Sequence, residues 1–179
     1  MLDLTIVKPH TAAQASILRN FTFGVEDSLA STVGLLSGVA SAQVAASTVV
    51  LTGLVLVFTE AMSMGVGTFL SDQSAEEYEH HRDLPLRRSL PSALVMFFSY
   101  LIAGLIPIAP YTFSTVPTAL YMSIAAAIIS LITLGVFNAI ISRTPMSRSI
   151  WRMAILGGSV AIAGVIIGRL LKGLSGYAF

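Results

Sequence analysis

Five long apolar runs divide the chain, covering about residues 21–41, 48–70, 91–108, 118–141 and 153–171. Each approaches the ~20 residues that a helix needs to cross the ~30 Å hydrocarbon core of a bilayer. The runs are continuous rather than alternating, which argues against a transmembrane barrel. The pattern predicts an all-α integral membrane protein with five transmembrane helices. Residues 1–20 are expected to form a cytosolic amphipathic arm leading into the first span. Asp3 and the short apolar stretch beside it do not make a signal peptide. The connections are short except for residues 71–90, between the second and third spans. Pro107 and Pro110 end the third span and shape the turn that follows.

Charge assigns the sides. Eight of the ten basic residues precede span one or fall in the loops after spans two and four: Lys8, Arg19, Arg82, Arg87, Arg88, Arg143, Arg148 and Arg152. The loops after spans one and three carry none, and Arg169 and Lys172 lie at the far end. By the positive-inside rule the N-terminus is cytosolic and the C-terminus lies on the opposite side. An odd number of spans excludes a simple inverted repeat of the whole chain.

Composition agrees with the pattern. Of 179 residues 55% are hydrophobic and 11% charged, and the mean hydropathy is +0.83. That is about half the usual charged fraction, and a soluble domain of this length could not hide so much apolar surface. A soluble enzyme, a disordered chain and a nucleic-acid binder are excluded together. The net charge of +1 sets up no field to recruit a polyanion. There is no cysteine, which removes disulfides and thiolate metal sites. No nucleophile constellation or phosphate loop is visible, so the chain does not read as an enzyme.

The informative residues are therefore the few acids. Six of nine lie in the arm or the long loop (Asp3, Asp72, Glu76, Glu77, Glu79, Asp83), and three lie within spans: Glu26, Asp27 and Glu60. An ionisable group at membrane depth is costly and marks a functional site by default. In span one, Asn20, Gly24, Asp27, Ser31, Gly34, Gly38 and Ser41 recur at alternating steps of four and three, which keeps them on one helical face. Gly34 and Gly38 form a GxxxG pair suited to helix packing. Packing has no use for a carboxylate at this depth, so Asp27 reads as part of an ion route or else as an interfacial carboxylate or the partner of a neighbouring arginine. Glu26 points about 100° away from it and reads equally well as structural.

Span two carries Gly53, Val57, Glu60, Met64, Gly67 and Ser71 on one face, with Thr68 beside it. Glu60 lies roughly 18 Å from the outer end of its helix, near the bilayer midplane. A carboxylate there is protonated, paired, or turned toward a wet path or a bound cation. Met64 is one turn away. Alone it would be filler; beside a carboxylate it becomes a candidate thioether ligand. Carboxylate with thioether suits Fe²⁺, and also Mn²⁺, Co²⁺ or Zn²⁺, better than Mg²⁺ or Ca²⁺. Metal arriving at such carboxylates displaces protons, the coupling a metal/proton exchanger needs. Glu76, Glu77, Glu79, His80 and His81 stand within six residues of the long loop. If the second helix continues, Glu76/His80 and Glu77/His81 become i,i+4 pairs, a candidate cytosolic capture site or a solvated charged linker.

Four segments together resemble a known family. LRNFTFGVEDSLASTVGLLSGVASA (Leu18–Ala42) is similar to the first helix of the vacuolar iron transporter family. EAMSMGVGTFLSDQS (Glu60–Ser74) is similar to its second, with Ser63, Met64 and Gly67 matching. GLIPIAPYTF (Gly104–Phe113) resembles the third-helix ending, and IGRLL (Ile167–Leu171) the end of the fifth. The resemblance implies a dimer that exports Fe²⁺ from the cytosol in exchange for protons, across a plasma membrane or a vacuole-type membrane. It implies that the ion is cargo, with no permanently bound cofactor, and that the first two helices line the path. Asp27 matches the family's first-helix aspartate and Met64 its second-helix methionine. The homodimer would pack through the small-residue face of the first helix. The family usually has Asp-Gly where this chain has Asp27-Ser28, and Glu at the position of Thr68. Here the carboxylate stands two turns deeper, at Glu60. Plant members carry a long metal-binding domain where this chain has only residues 71–90. The expected function is transport of Fe²⁺ or Mn²⁺ out of the cytosol through Asp27, Glu60 and Met64, with Glu26, Ser31 and Thr68 lining the path. The alternatives are another divalent metal (Zn²⁺, Co²⁺) and a non-transporting metal sensor or scaffold.

Overall fold

A computed structural model describes residues 9–81, 87–142 and 145–175. Asp3, Lys8, Arg82, Asp83 and Arg143, which entered the charge pattern, lie outside the described residues, as do the side chains of His80 and Arg148. Five helices follow in order: α1 (Pro9–Ser41), α2 (Ala46–His80), α3 (Leu90–Ile108), α4 (Val116–Ser142) and α5 (Met146–Ser175). A 3-10 turn, Ala109–Thr112, extends α3. No strand occurs among the described residues.

The helices outrun the apolar runs that announced them. α1 begins at Pro9 and α2 reaches His80, so half of the expected arm and half of the expected loop are helical. At 35 residues α2 is roughly 50 Å long, well beyond a bilayer's apolar thickness. His81 closes it in the left-handed conformation, with φ 50°.

Four helical segments have the length and hydropathy to cross a membrane: Ala46–Glu79, Leu90–Thr112, Val116–Ser142 and Ile150–Leu170. α1 is not among them. The reason is its place in the bundle. It packs against α3 and α5 and also touches α4 and α2, so its neighbours and not lipid are its solvent. Asn20, Ser28, Thr32 and Ser37 are accordingly buried on it, beside Leu29, Val33 and Leu36. The outer helices show the reverse. Phe58, Met62, Val66 and Leu70 of α2, Ile129 and Ile140 of α4, and Ile155, Ile162 and Ile166 of α5 are exposed. Polar inside and apolar outside is the arrangement a bilayer requires, since lipid does not penalise exposed Ile, Phe or Leu.

Glycines set the closest approaches. A Cβ on Gly164 would collide with the backbone carbonyl of Gly34, and one on Gly168 with that of Gly38. α1 and α5 therefore meet backbone to backbone, as small-residue interfaces allow. The GxxxG face of α1, expected to serve a second copy, is thus occupied by α5 of the same chain. On α2 the buried positions are Val49, Gly53, Val57, Ala61 and Gly65, a strict four-residue stride. Such a stripe is the i±4 ridge of a helix crossing its neighbours obliquely. It drifts around the helix, so the face predicted from Gly53 to Ser71 does not stay on one side. Gly53 and Val57 are buried, Glu60 and Met64 partly so, and Gly67 and Ser71 are exposed.

Candidate functional site

Three helices converge on Glu60. From α1, the Ser31 hydroxyl donates to Glu60 Oε2 at 3.1 Å. From α3, the Tyr100 hydroxyl donates to the same oxygen, and it lies 2.6 Å from Ser31 Oγ. Tyr100 is itself pinned. Its ring is fully buried, and its backbone carbonyl accepts from Ser28 Oγ at 2.6 Å. One turn on, Gly104 lets α3 come against Val57 and Ser28, where any Cβ would be crowded. A membrane carboxylate must be matched by donors or by a cation, and two hydroxyls supply part of that match here. Tyr100 escaped the sequence reading because aromatic residues in apolar spans are ordinarily filler. The available signal was chemical: a deeply buried tyrosine hydroxyl needs an acceptor, and Glu60 is the acid nearest the same depth.

Glu60 and Met64 open on different spaces. Glu60 and Ser31 lie at the inner end of a groove of about 640 Å³ between α1, α2 and α5, lined also by Gly34, Gly38, Gly164 and Gly168. Met64 lines a separate cavity of about 400 Å³ between α1, α2 and α3, with Asn20, Ser63, Thr68, Asp72 and Met96. The groove runs toward the α1–α2 turn. The cavity runs toward the end of the bundle that carries most of the basic residues. One helical turn of α2 separates the two.

Asp27 belongs to the same level as Met64. α1 and α2 are antiparallel, and two contacts fix their register: Ser31 with Glu60, and Arg19 with Asp72 at 3.7 Å. Four residues from Ser31 and four from Glu60, in the direction of Arg19 and Asp72, come Asp27 and Met64. Asp27 is partly buried. No hydrogen bond or ion pair reaches it among the described residues. Asn20, buried on the cavity wall, likewise leaves Nδ2 without a partner among them.

The remaining expected residues are spread out. Thr68 lines the cavity, while Glu26 faces a different crevice between α1, α4 and α5. Glu76, Glu77 and Glu79 ride on the final turns of α2, where Gln73 Nε2 donates to Glu77 Oε1 at 2.8 Å. The ring of His81 meets that of Tyr78 edge-on at 6.3 Å. Among the described residues no three His, Asp or Glu side chains gather closely enough to hold a metal ion. The carboxylates of the spans and those of α2's end are therefore separate features within one chain.

Comparison with known proteins covers most of the sequence. The model of the VIT family matches residues 18–89 and 79–169. The vacuolar iron transporter homolog 5 of Oryza sativa subsp. japonica is 28% identical over 177 residues, covering 90% of this chain and 83% of the rice protein. Vacuolar iron transporter 1 of Tulipa gesneriana is 23% identical over 219 residues, covering 87% of each.

Proposed function

The chain belongs to the VIT family, and from that premise we propose that it carries a divalent transition metal, Fe²⁺ or Mn²⁺, out of the cytosol in exchange for protons. The observation that carries this reading is Glu60: a carboxylate deep in an apolar helix, set between a cavity on one side and a groove on the other. The names of the rice and tulip relatives support iron as the metal. In the proposal α1 is the fifth crossing element, and the basic end of the bundle is cytosolic by the positive-inside rule.

Metal enters the cavity past Asp72 and Thr68 and meets Asp27 and Met64. One turn further in, it meets Glu60 and Ser31, and it leaves along the groove. Borderline cations accept both carboxylate oxygen and thioether sulfur, whereas Mg²⁺ strongly prefers oxygen and water. Carboxylates that give up the metal take protons in its place, which returns charge across the membrane. Glu76, Glu77, Glu79, His80 and His81 raise the local metal concentration at the entrance. Proteoliposomes with an imposed proton gradient test the whole reading. Protein-dependent Fe²⁺ flux is expected, competed by Mn²⁺ and Co²⁺ and not by Mg²⁺. Metal binding without flux would support a sensor instead.

The homodimer is also part of the proposal, with its surface moved from α1 to α2. Ser63, Gly67 and Ser71 are exposed at a four-residue stride, and a Cβ at Gly67 would meet nothing within 4 Å. This small-residue stripe borders the Met64 cavity, so a second copy seated on it would wall the entrance. The chain has no cysteine, which makes trapping clean. Gly67→Cys is expected to form a disulfide-linked dimer under mild oxidation in native membranes, while Phe113→Cys, away from the stripe, stays monomeric on a denaturing gel.

A further inference from the structure

Away from the α1–α2 route, a crevice of about 620 Å³ opens between α1, α4 and α5 near the basic end. Its polar lining is Arg19, Thr22, Glu26, Asn138, Ser142 and Arg152. Thr22 Oγ1 donates to Asn138 Oδ1 at 2.9 Å. That bond uses the acceptor of the amide and leaves its N–H groups to donate elsewhere. The crevice is thus dominated by donors: two guanidiniums, an amide and the Ser142 hydroxyl, against one carboxylate.

Arg152 is the third residue of the apolar segment Ile150–Leu170 of α5, and its side chain is exposed. The contacts of Gly34 with Val160 and of Gly38 with Gly164 fix a parallel register between α1 and α5. In that register Arg152 is level with about Gly24, two turns from Ser31 and only ~10 Å from the Glu60 level. A guanidinium at this depth needs an anionic acceptor or a path to the interface. Among the described residues no ion pair joins it to Glu26 or to any other carboxylate. Arg19, at the rim, makes a long pair with Asp72 but remains 69% exposed.

We propose that this crevice binds a phosphate group, clamped between Arg152 and Arg19 with Asn138 and Ser142 as further donors. Arginine forks fit phosphate oxygens bidentately. The phosphate reaches it either as the headgroup of an anionic phospholipid in the same leaflet or as a free phosphate from solution. Arg19 stands on the wall between this crevice and the Met64 cavity, whereas Arg152, Asn138 and Ser142 line the crevice and not the cavity.

Native mass spectrometry of the full chain separates the sources. In the first arm the protein is released from nanodiscs of phosphatidylcholine with phosphatidylglycerol. In the second it is held in detergent with inorganic phosphate. Preferential retention of phosphatidylglycerol identifies the lipid source, and adducts with inorganic phosphate alone identify the soluble one. Either is expected to weaken roughly tenfold or more in Arg152→Gln, the loss of a charge-assisted pair. Arg169→Gln, at the far end of α5, is expected to bind like the wild type. Arg152→Lys, which keeps the charge but loses the fork, is expected to fall between and serves where the neutral variant does not fold. No retention of either probe would overturn the proposal. So would equal binding by the Arg152 variants and the wild type, or an equal loss in Arg169→Gln.

Discussion

Glu60→Gln is expected to reduce Fe²⁺ flux in proteoliposomes by about 100-fold or more, beyond the ~10–100-fold typical of losing an outer-shell partner of a metal ligand. The substitution keeps the shape of the side chain and leaves an oxygen to accept from Ser31 and Tyr100. The fold should therefore survive, and the melting temperature should stay close to that of the wild type. What disappears is the negative charge. A divalent ion at the bilayer midplane has no bulk water to balance it, and Ser31 and Tyr100 are neutral. Asp27→Asn should lower flux as well, but less, because Met64 and a cavity with polar lining at Asn20, Ser63, Thr68 and Asp72 remain beside it. Retention of wild-type flux by Glu60→Gln would remove Glu60 from the route and leave the groove beside it without a role.

Tyr100→Phe should raise the apparent KM for metal by roughly 10–100-fold, the usual effect of removing a hydrogen bond that orients a ligand. The phenyl ring fills the same buried space, so packing against Ser28 and Gly104 is kept. The stability cost is about 1 kcal/mol for the lost hydrogen bond. KM and maximal rate should separate. A mispositioned carboxylate binds metal poorly, yet once loaded it can still pass the ion on. Ser28→Ala is the companion, because it frees the Tyr100 carbonyl while leaving the hydroxyl in place, and it should shift KM in the same direction by less. Unchanged kinetics in Tyr100→Phe would make the tyrosine a packing residue only.

These residues differ in how far the sequence announced them. All five helices were legible as long apolar runs, and four of them are apolar enough to face lipid. The extensions of α1 before Phe21 and of α2 beyond Leu70 were not. A helix emerging into water has no reason to stay hydrophobic, so hydropathy marks only its submerged part. Glu60 stood out as an acid inside an apolar run. Its partner Ser31 was read as lining the path, but Tyr100 was not, since pairing Tyr100 with Glu60 requires the rotation of α3 against α2, and that depends on Gly104 and the oblique stride of α2's buried stripe. The stripe also explains why the small residues of α2 part company, Gly53 inward and Gly67 outward, although a helical wheel puts them on one side. Gly34 and Gly38 were correctly read as packing residues. Which helix they pack against was not legible, because a GxxxG pair accepts any close backbone.

The central position of α1 has a bearing on how the protein is made. It leaves the ribosome before α3 and α5 and, with Glu26 and Asp27 in its apolar stretch, is the least able of the five helices to partition into lipid alone. Each carboxylate near a helix centre costs about 3 kcal/mol on an insertion scale. The helices that shelter it, α3 and α5, are synthesised later. Stable integration of α1 must then await chain that does not yet exist. On this account α1 is held in the insertion machinery or at the membrane surface until α3 and α5 are made, and the bundle closes around a helix translated before them.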